Sequence, residues 1–347
     1  MKSAVDRTPF HNRWISRNLS KKLSGEVRLL KRFAKALGVY GSDTRVQGFS
    51  GYLCELLIVR YGSFEALVRE AAGWEPGKVF IDVQNHHKGK LPDGLKKKFE
   101  GQPMVVIDPV DRNRNVAAAF SPANFARFIL ACESFMKKPS IGFFFPAPRK
   151  ADLNKIRKTM LSRGSKFIMV KFQRPDVIDD VLWPQLRRTA KRLKDIMLEY
   201  DFLVLDWAVH SDFSGVGEPA KGLSSYIMLE LGVWKLPRIR KVTGPPVFIR
   251  PRAAEFRKKY QKLGKVWVED DRLVAEVKRE WLDAVEKLRD SLSDPLKDLK
   301  AKGIASHVAE SVARGFRLVE DDAILRSCSK DSNLALFMSE YLERSAV

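Results

Sequence analysis

The stretch Phe167-Ile-Met-Val-Lys-Phe172 decides the fold class of this chain. It is short and apolar, which predicts a buried strand. Elements of alternating type follow it. In chain order they are a basic amphipathic helix (184–200), strands 202–209 and 226–234 on either side of a Gly/Ser-rich turn, a second basic helix (252–263), and a strand segment (266–277) that we expect to form a hairpin around Asp270-Asp271.

The order of these elements is strand, helix, strand, strand, helix, strand, which is that of the ferredoxin-like βαββαβ unit. We expect this unit to occupy about residues 166–278. RNA-recognition modules share the order, but the chain has no RNP1 signature, so the fold by itself indicates no function.

The residues that precede this unit predict a helical domain at 25–103. Apolar side chains recur at helical spacing in 25–38 and in 49–61. Ser24 is expected to cap the first of these helices, and Ser63 is expected to cap a third. This part of the chain is therefore predicted to be compact and helical.

A strand is predicted where the helical domain ends. The Lys-rich stretch 88–98 is interrupted by Pro and Gly, which predicts an exposed loop. The apolar run Met104–Asp108 then predicts a buried strand, and Ser121-Pro122 predicts the start of a helix. With a helical C-terminal region, the chain as a whole is predicted to be an α+β multidomain protein, in which residues 104–347 form the α/β part.

The charge of the chain indicates a polyanionic partner. Lys and Arg number 63 against 42 Asp and Glu, a net charge of +21, and the pI is about 9.9. This excess favours a nucleic acid, and the alternative is a basic surface that serves solubility alone. The candidate RNA-binding residues lie on the two basic helices: Arg187, Lys191, Arg257 and Lys258.

The sequence contains no recognisable catalytic or metal-binding set. Asp108 and Asp111 lie three residues apart on a Pro-broken turn and cannot project to one face of a strand, so a cap or turn role is favoured. The adjacent His86-His87 is more typical of a surface pair than of a metal site. The three cysteines are far apart in sequence, which suits a reducing cytoplasm. The sequence contains no apolar run of about 18 residues, so a membrane-spanning helix is not predicted.

One short segment could bind a phosphorylated ligand. Residues 6–14 combine a hydroxyl group, the His11 imidazole, guanidinium groups and aromatic rings. Such groups hold phosphates by charge-assisted hydrogen bonds and by stacking, although a capped helix start uses similar residues.

Six motifs follow one another along residues 3–118. They are Ser3-Ala-Val-Asp-Arg-Thr-Pro-Phe-His11, Glu26-Val-Arg-Leu-Leu-Lys31, Gly38-Val-Tyr-Gly41, Gly48-Phe-Ser-Gly-Tyr-Leu-Cys-Glu-Leu-Leu-Ile58, Tyr61-Gly-Ser-Phe64 and Asp108-Pro-Val-Asp-Arg-Asn-Arg-Asn-Val-Ala-Ala118. Together they resemble the motifs of the archaeal, class I CCA-adding enzymes, the tRNA nucleotidyltransferases. The match is specific through about residue 145 and becomes loose after about residue 200.

The resemblance implies a substrate and a set of binding residues. The family rebuilds the 3′ CCA end of tRNA from CTP and ATP with Mg²⁺, and its members have a head, a neck, a body and a tail. His11, Lys31 and Tyr40 match residues that contact the triphosphate and sugar of the incoming nucleotide. Arg114 matches an arginine that contacts the base edge together with tRNA phosphates. Members of the family are often dimers through the body.

The resemblance also implies that a catalytic head is missing. In the family, the metal-binding carboxylates lie in a head that precedes the motif containing His11. We therefore expect residues 1–24 to be a remnant of the junction between head and neck, residues 25–103 to be the neck, and residues 104–347 to be the tRNA-binding body and tail. The chain alone is expected to be inactive. A separately encoded head would be a partner. The alternative is a non-catalytic RNA-binding paralogue or accessory subunit.

Overall fold

The computed structural model describes residues 7–148, 150–212 and 222–344 of the 347-residue chain. The Gly/Ser-rich turn expected near residue 215 and the first residues of the motif that ends at His11 lie outside this part. The chain divides into two compact units. The first contains residues up to 149 together with 178–183, and the second contains 150–177 and 184–343. Within the described ranges, none of the helices is long and apolar enough to cross a bilayer.

Four helices open the first unit, and serine side chains begin three of them. Ser20, Ser50 and Ser63 each accept a hydrogen bond from a backbone N–H of the first turn, which satisfies a donor that the helix itself leaves unpaired. The cap expected at Ser24 is corrected to Ser20, and the cap at Ser63 is confirmed. The helices are α1 (Thr8–Asn18), α2 (Lys21–Ala36), α3 (Gly51–Tyr61) and α4 (Phe64–Ala71).

A small sheet and two helices complete the first unit. Strands β1 (Val79–Asp82) and β2 (Met104–Asp108) are parallel, and β3 (Asp111–Asn115) pairs with β2 in the antiparallel sense. Helix α6 (Pro122–Lys137) starts at the expected Ser121 cap. The Lys-rich stretch is not entirely a loop, since Asp93–Lys98 forms the short helix α5.

The core of the first unit crosses the boundary expected between residues 103 and 104. Phe33 of α2 contacts Phe64 of α4 and Phe128 of α6 edge to face. Met104 and Val106 of β2 are buried in the same hydrophobic cluster. The first compact unit therefore does not end at residue 103, because the strand and helix that follow supply part of its apolar core.

Within the described residues, the second unit contains two sheets, seven complete helices and most of an eighth. Its strands are β4 (Lys166–Gln173), β5 (Val204–Ser211), β6 (Ser224–Leu231), β7 (Ile239–Pro246), β8 (Val266–Glu269), β9 (Arg272–Lys278) and β10 (Phe316–Glu320). Its helices are α7 (Leu153–Arg163), α9 (Arg250–Tyr260), α10 (Ala284–Leu292), α11 (Leu296–Ala301), α12 (Ser306–Arg314), α13 (Asp321–Cys328) and α14 (Ser332–Leu342), and most of α8 (Asp179–Glu199) also belongs to it.

The ferredoxin-like unit is present, but its second half differs from the expected one. The larger sheet has the order β10-β4-β6-β5 with every pair antiparallel, and α8 connects β4 to β5 while α12 leads into β10. The unit therefore runs from residue 166 to 320 rather than to 278. Strand β10 pairs with β4 although the two strands are far apart in sequence. Such a pairing cannot be deduced from the five residues of β10 alone, which lie between two helices.

The segment assigned to the fourth strand forms a sheet of its own. Residues 266–278 make the expected hairpin, β8 and β9, and β9 also pairs with β7, which gives the order β7-β9-β8. Helix α9 packs against this sheet. The three strands and α9 are therefore an insertion between the third and fourth strands of the ferredoxin-like unit.

A buried network of hydrogen bonds and an ion pair connects the larger sheet to two of the helices that pack against it. Glu230 of β6 is fully buried, and it accepts hydrogen bonds from Arg163 Nε (2.6 Å), Ser165 Oγ (2.6 Å) and Tyr341 OH (2.5 Å). Burial acts to raise the pKa of Glu230, but these donors outweigh it and hold the pKa below its usual value. The carboxylate is thus charged, paired and tied to both α7 and α14.

We expect Arg163→Met to lower the free energy of unfolding by about 1.5–3 kcal/mol near pH 7, the range for hydrogen bonds to charged groups. Because the pKa of Glu230 is lowered on folding, the network stabilises the protein above the unfolded value of about 4.3, and this stabilisation is lost as the pH falls through the folded value. Denaturant unfolding should therefore show a difference at pH 7 that shrinks below about pH 4. Arg157→Met, at an exposed position of the same helix, is the control. Equal effects of the two substitutions would contradict the assignment.

Candidate functional site

Asp108 is the centre of the candidate site in the first unit. Its side chain lies at the end of β2 and is fully buried. Oδ2 lies 2.7 Å from Arg114 NH1 and 2.9 Å from His11 Nε2. Oδ1 accepts hydrogen bonds from the Tyr52 hydroxyl at 3.2 Å and from the Val110 N–H at 3.1 Å. One carboxylate therefore joins α1, α3 and both ends of the β2–β3 turn.

Electrostatics keep this carboxylate ionised and its phenol partner neutral. Burial acts to raise the pKa of Asp108, but the bonds from Val110, Arg114 and His11 outweigh it and lower the pKa below its usual value. Burial and the charge of Asp108 raise the pKa of Tyr52, so the phenol remains a donor. The Tyr52 ring also stacks on the His11 imidazole, with the ring centroids 4.1 Å apart.

A second cluster of polar groups lies at the start of α3. A Cβ atom placed on Gly51 would lie 3.4 Å from the Tyr40 hydroxyl oxygen and 3.5 Å from Lys31 Nζ, so these two groups converge on the first turn of the helix. Lys31 Nζ is also 2.9 Å from Glu55 Oε1. Burial acts to lower the pKa of Lys31, but Glu55 outweighs it and the net shift is upward, so the ammonium group is charged.

The first turns of α3 connect the two clusters. Gly51 faces Lys31 and Tyr40, Tyr52 contacts Asp108 and His11, and Glu55 pairs with Lys31. The N-terminus of an α-helix also carries a partial positive charge and free N–H groups, both of which favour an anion.

An open cleft of about 540 Å³ lies beside Arg114 and the start of α3, whereas His11, Lys31 and Tyr40 are not among its lining residues. Ser50, the N-cap of α3, is part of its wall. Three cationic side chains also line it, namely Arg7, Lys98 and Arg114, against the single carboxylate of Asp111. The cleft therefore has the size and the charge for a small anionic ligand.

The two adjacent histidines support the turn that precedes Arg114. His86 Nε2 lies 2.9 Å from the Pro109 carbonyl oxygen, and His87 Nε2 lies 2.7 Å from that of Arg112. Each Nε2 atom is thus within hydrogen-bond distance of a backbone carbonyl oxygen of that turn.

The carboxylates near the cleft do not fit a Mg²⁺ ion. Asp108 already accepts four hydrogen bonds, Asp111 pairs with Arg7 at 3.3 Å, and Glu55 pairs with Lys31. No group of three potential ligands occurs in the part of the chain that the structure describes. We therefore assign the ion no role at these residues.

The candidate RNA-binding residues all lie in the second unit. Arg187 and Lys191 are one turn apart on α8, where Lys191 is exposed. Arg257 and Lys258 are exposed on α9, in the inserted module. The structure thus divides them between the ferredoxin-like unit and its insertion.

Comparison with known proteins decides the family. The model of the second domain of tRNA nucleotidyltransferases matches residues 25–145, and that of the C-terminal domain of CCA-adding enzymes matches 163–321. The CCA-adding enzyme of Methanosarcina mazei is 38% identical over 346 residues, which are 99% of this chain and 70% of that relative. The chain belongs to the archaeal CCA-adding enzymes.

Other CCA-adding enzymes agree with this result. That of Methanothermobacter thermautotrophicus is 40% identical over 331 residues, 95% of this chain and 68% of the relative. That of Archaeoglobus fulgidus is 42% identical over 246 residues, 71% of this chain and 52% of the relative. The boundaries of the two family models also fit the fold, since the first unit extends to residue 149 and β10 ends at residue 320.

Sequence reasoning missed three members of this candidate site. Asp108 was expected to serve only the turn, and it does accept the Val110 N–H, but it also binds His11 and Arg114. Tyr52 and Glu55 lie in a quoted motif without an assigned role. A carboxylate at the end of a buried strand, six residues before Arg114, was the available signal for Asp108.

Gly48 positions Tyr40 in the site, and its replacement tests this positioning. Tyr40 pairs with Phe49 in an isolated bridge, and a Cβ on Gly48 would lie only 1.9 Å from the Val39 carbonyl oxygen. Gly48→Ala should therefore displace this segment and destabilise the protein by about 1–3 kcal/mol in denaturant unfolding. Gly94→Ala is the control, because an added Cβ there meets nothing within 4 Å. The same stability for both variants would contradict this role.

Proposed function

We propose that the first unit binds the incoming CTP or ATP and that the second unit binds tRNA. Lys31, Tyr40 and His11 contact the triphosphate and sugar, and Arg114 contacts the base edge and tRNA phosphates. The observation that carries this proposal is the convergence of the Lys31 ammonium and the Tyr40 hydroxyl on the first turn of α3. A compact cation, a hydroxyl donor and a helix N-terminus together suit a phosphate group.

The binding groups are held in place before the ligand arrives. Glu55 holds the Lys31 ammonium at the start of α3, and a phosphate can take the donors of that ammonium that Glu55 leaves free. Arg114 uses NH1 for Asp108, which leaves the rest of its planar fork for a base edge or a phosphate. About a third of the Arg114 side chain (36%) remains exposed, so the fork is accessible.

We further propose that the metal-binding carboxylates come from a catalytic head, in the same polypeptide or in a separate one. The support is that the carboxylates beside the cleft are occupied by cations and donors of the same unit. The 347 residues alone should therefore bind tRNA and nucleotide without extending the tRNA. Incorporation of CMP or AMP into tRNA lacking CCA by these residues alone would refute this proposal.

Lys31→Ala tests the triphosphate contact. Loss of a hydrogen-bonded cation should weaken the binding of CTP and ATP by about tenfold to a hundredfold, measured by calorimetric titration in the presence of the head. Affinity for cytidine, which has no phosphate, should change little. Lys22→Ala, at an exposed position of the same helix, is the matched control. Unchanged CTP affinity in Lys31→Ala would favour a non-catalytic RNA-binding protein instead.

The basic helices of the second unit are tested by the salt dependence of tRNA binding. Each phosphate contact steepens the slope of log K against log [salt] by about 0.7–0.9. Replacing Arg187, Lys191, Arg257 and Lys258 by Gln should therefore flatten the slope by about 3 and leave CTP affinity unchanged. An unaltered slope would place the tRNA contacts on other residues.

A further inference from the structure

We propose that Asp108 is the positioning residue of the nucleotide site, because its Oδ2 atom fixes both His11 and Arg114. This inference rests on the proposed function, in which these two side chains contact the phosphates and the base. Asp108 itself is fully buried and does not line the cleft, so it would act through its two partners.

A role in the turn requires only one of the two carboxylate oxygens of Asp108, namely Oδ1. The hydrogen bond from the Val110 N–H to Oδ1 closes the β2–β3 turn, and the Tyr52 hydroxyl binds the same oxygen. Oδ2 takes no part in the turn. It is used by Arg114 NH1 and His11 Nε2, which come from β3 and from α1. The second oxygen therefore has a role that the local backbone does not require.

Positioning by Oδ2 has a distinct consequence for each partner. An arginine side chain loses rotamer entropy when it is immobilised on binding, and the bond to Oδ2 fixes the guanidinium group of Arg114 in advance. In His11, the bond at Nε2 leaves Nδ1 as the ring nitrogen that can face a ligand. Stacking on Tyr52 holds the plane of the imidazole.

Sharing one oxygen also couples the two contacts. His11 is assigned to phosphates and Arg114 to the base, so a displacement of either side chain alters the acceptor of the other. Phosphate binding and base selection therefore depend on a single buried carboxylate.

Asp108→Asn separates the two roles of the side chain. The amide keeps an oxygen for Val110 and Tyr52, but its NH₂ group would face the donors of Arg114 and His11. In the enzyme complete with its head, kcat/KM for CTP and ATP should fall about tenfold to a hundredfold. The affinity for tRNA should remain within about twofold of wild type, since Arg114 is retained and most of the proposed tRNA contacts lie in the second unit.

A double-mutant cycle excludes a merely structural effect. If Asp108 acts through Arg114, Asp108→Asn should cost markedly less in an Arg114→Ala background than in the wild type. The same cycle with His11→Ala should give the same result. Asp93→Asn, an exposed carboxylate in the same unit, should leave kcat/KM unchanged. Full additivity in both cycles would overturn the proposal.

A second variant covers the case in which Asp108→Asn does not fold. Asp108→Glu keeps the charge but shifts the carboxylate by one methylene group, and its kcat/KM should fall by about tenfold or more. Wild-type kcat/KM in a folded Asp108→Asn or Asp108→Glu enzyme would overturn the inference. If Arg114→Ala and His11→Ala themselves leave kcat/KM unchanged, the proposed function fails instead, and the two failures are thereby distinguished.

Discussion

A buried carboxylate must be paired, and the candidate site of the first unit is organised around this requirement. Asp108 ends the central strand of the small sheet with no solvent to hydrate its charge. An unpaired charge there would be expensive, so the fold supplies Arg114, His11, Tyr52 and a backbone N–H. The partners that satisfy Asp108 include two of the side chains that the family resemblance assigns to the ligand.

Helix α3 organises the other half of the site. Its Ser50 cap and its first turns bring Lys31 and Tyr40 together on one side and contribute Tyr52 to the Asp108 cluster on the other. Its opposite face is buried in the aromatic core with Leu53, Leu56 and Leu57. Packing of this core therefore fixes the spacing of polar groups that are distant in sequence.

The limits of sequence reasoning follow from the range of the interactions. Capped helices such as α4 and α6 were predicted correctly, because a serine cap and an apolar period lie within one short segment. The fourth strand of the ferredoxin-like unit was misplaced, because Phe316–Glu320 acquires its role only by pairing with β4. The boundary expected at residue 103 does not separate two cores, since Met104 and Val106 share a core with earlier helices.

The sequence by itself determined the family and the basic charge, and it led to the proposal of His11, Lys31, Tyr40 and Arg114 as nucleotide contacts, because residue types and the order of motifs can be read directly from the sequence. Only the tertiary structure decided that Asp108 joins His11 to Arg114 and that Glu55 holds Lys31. The first contact spans 97 residues and the last spans 24. Such pairs are chosen by the burial of charge and the packing of α3, which no local pattern encodes.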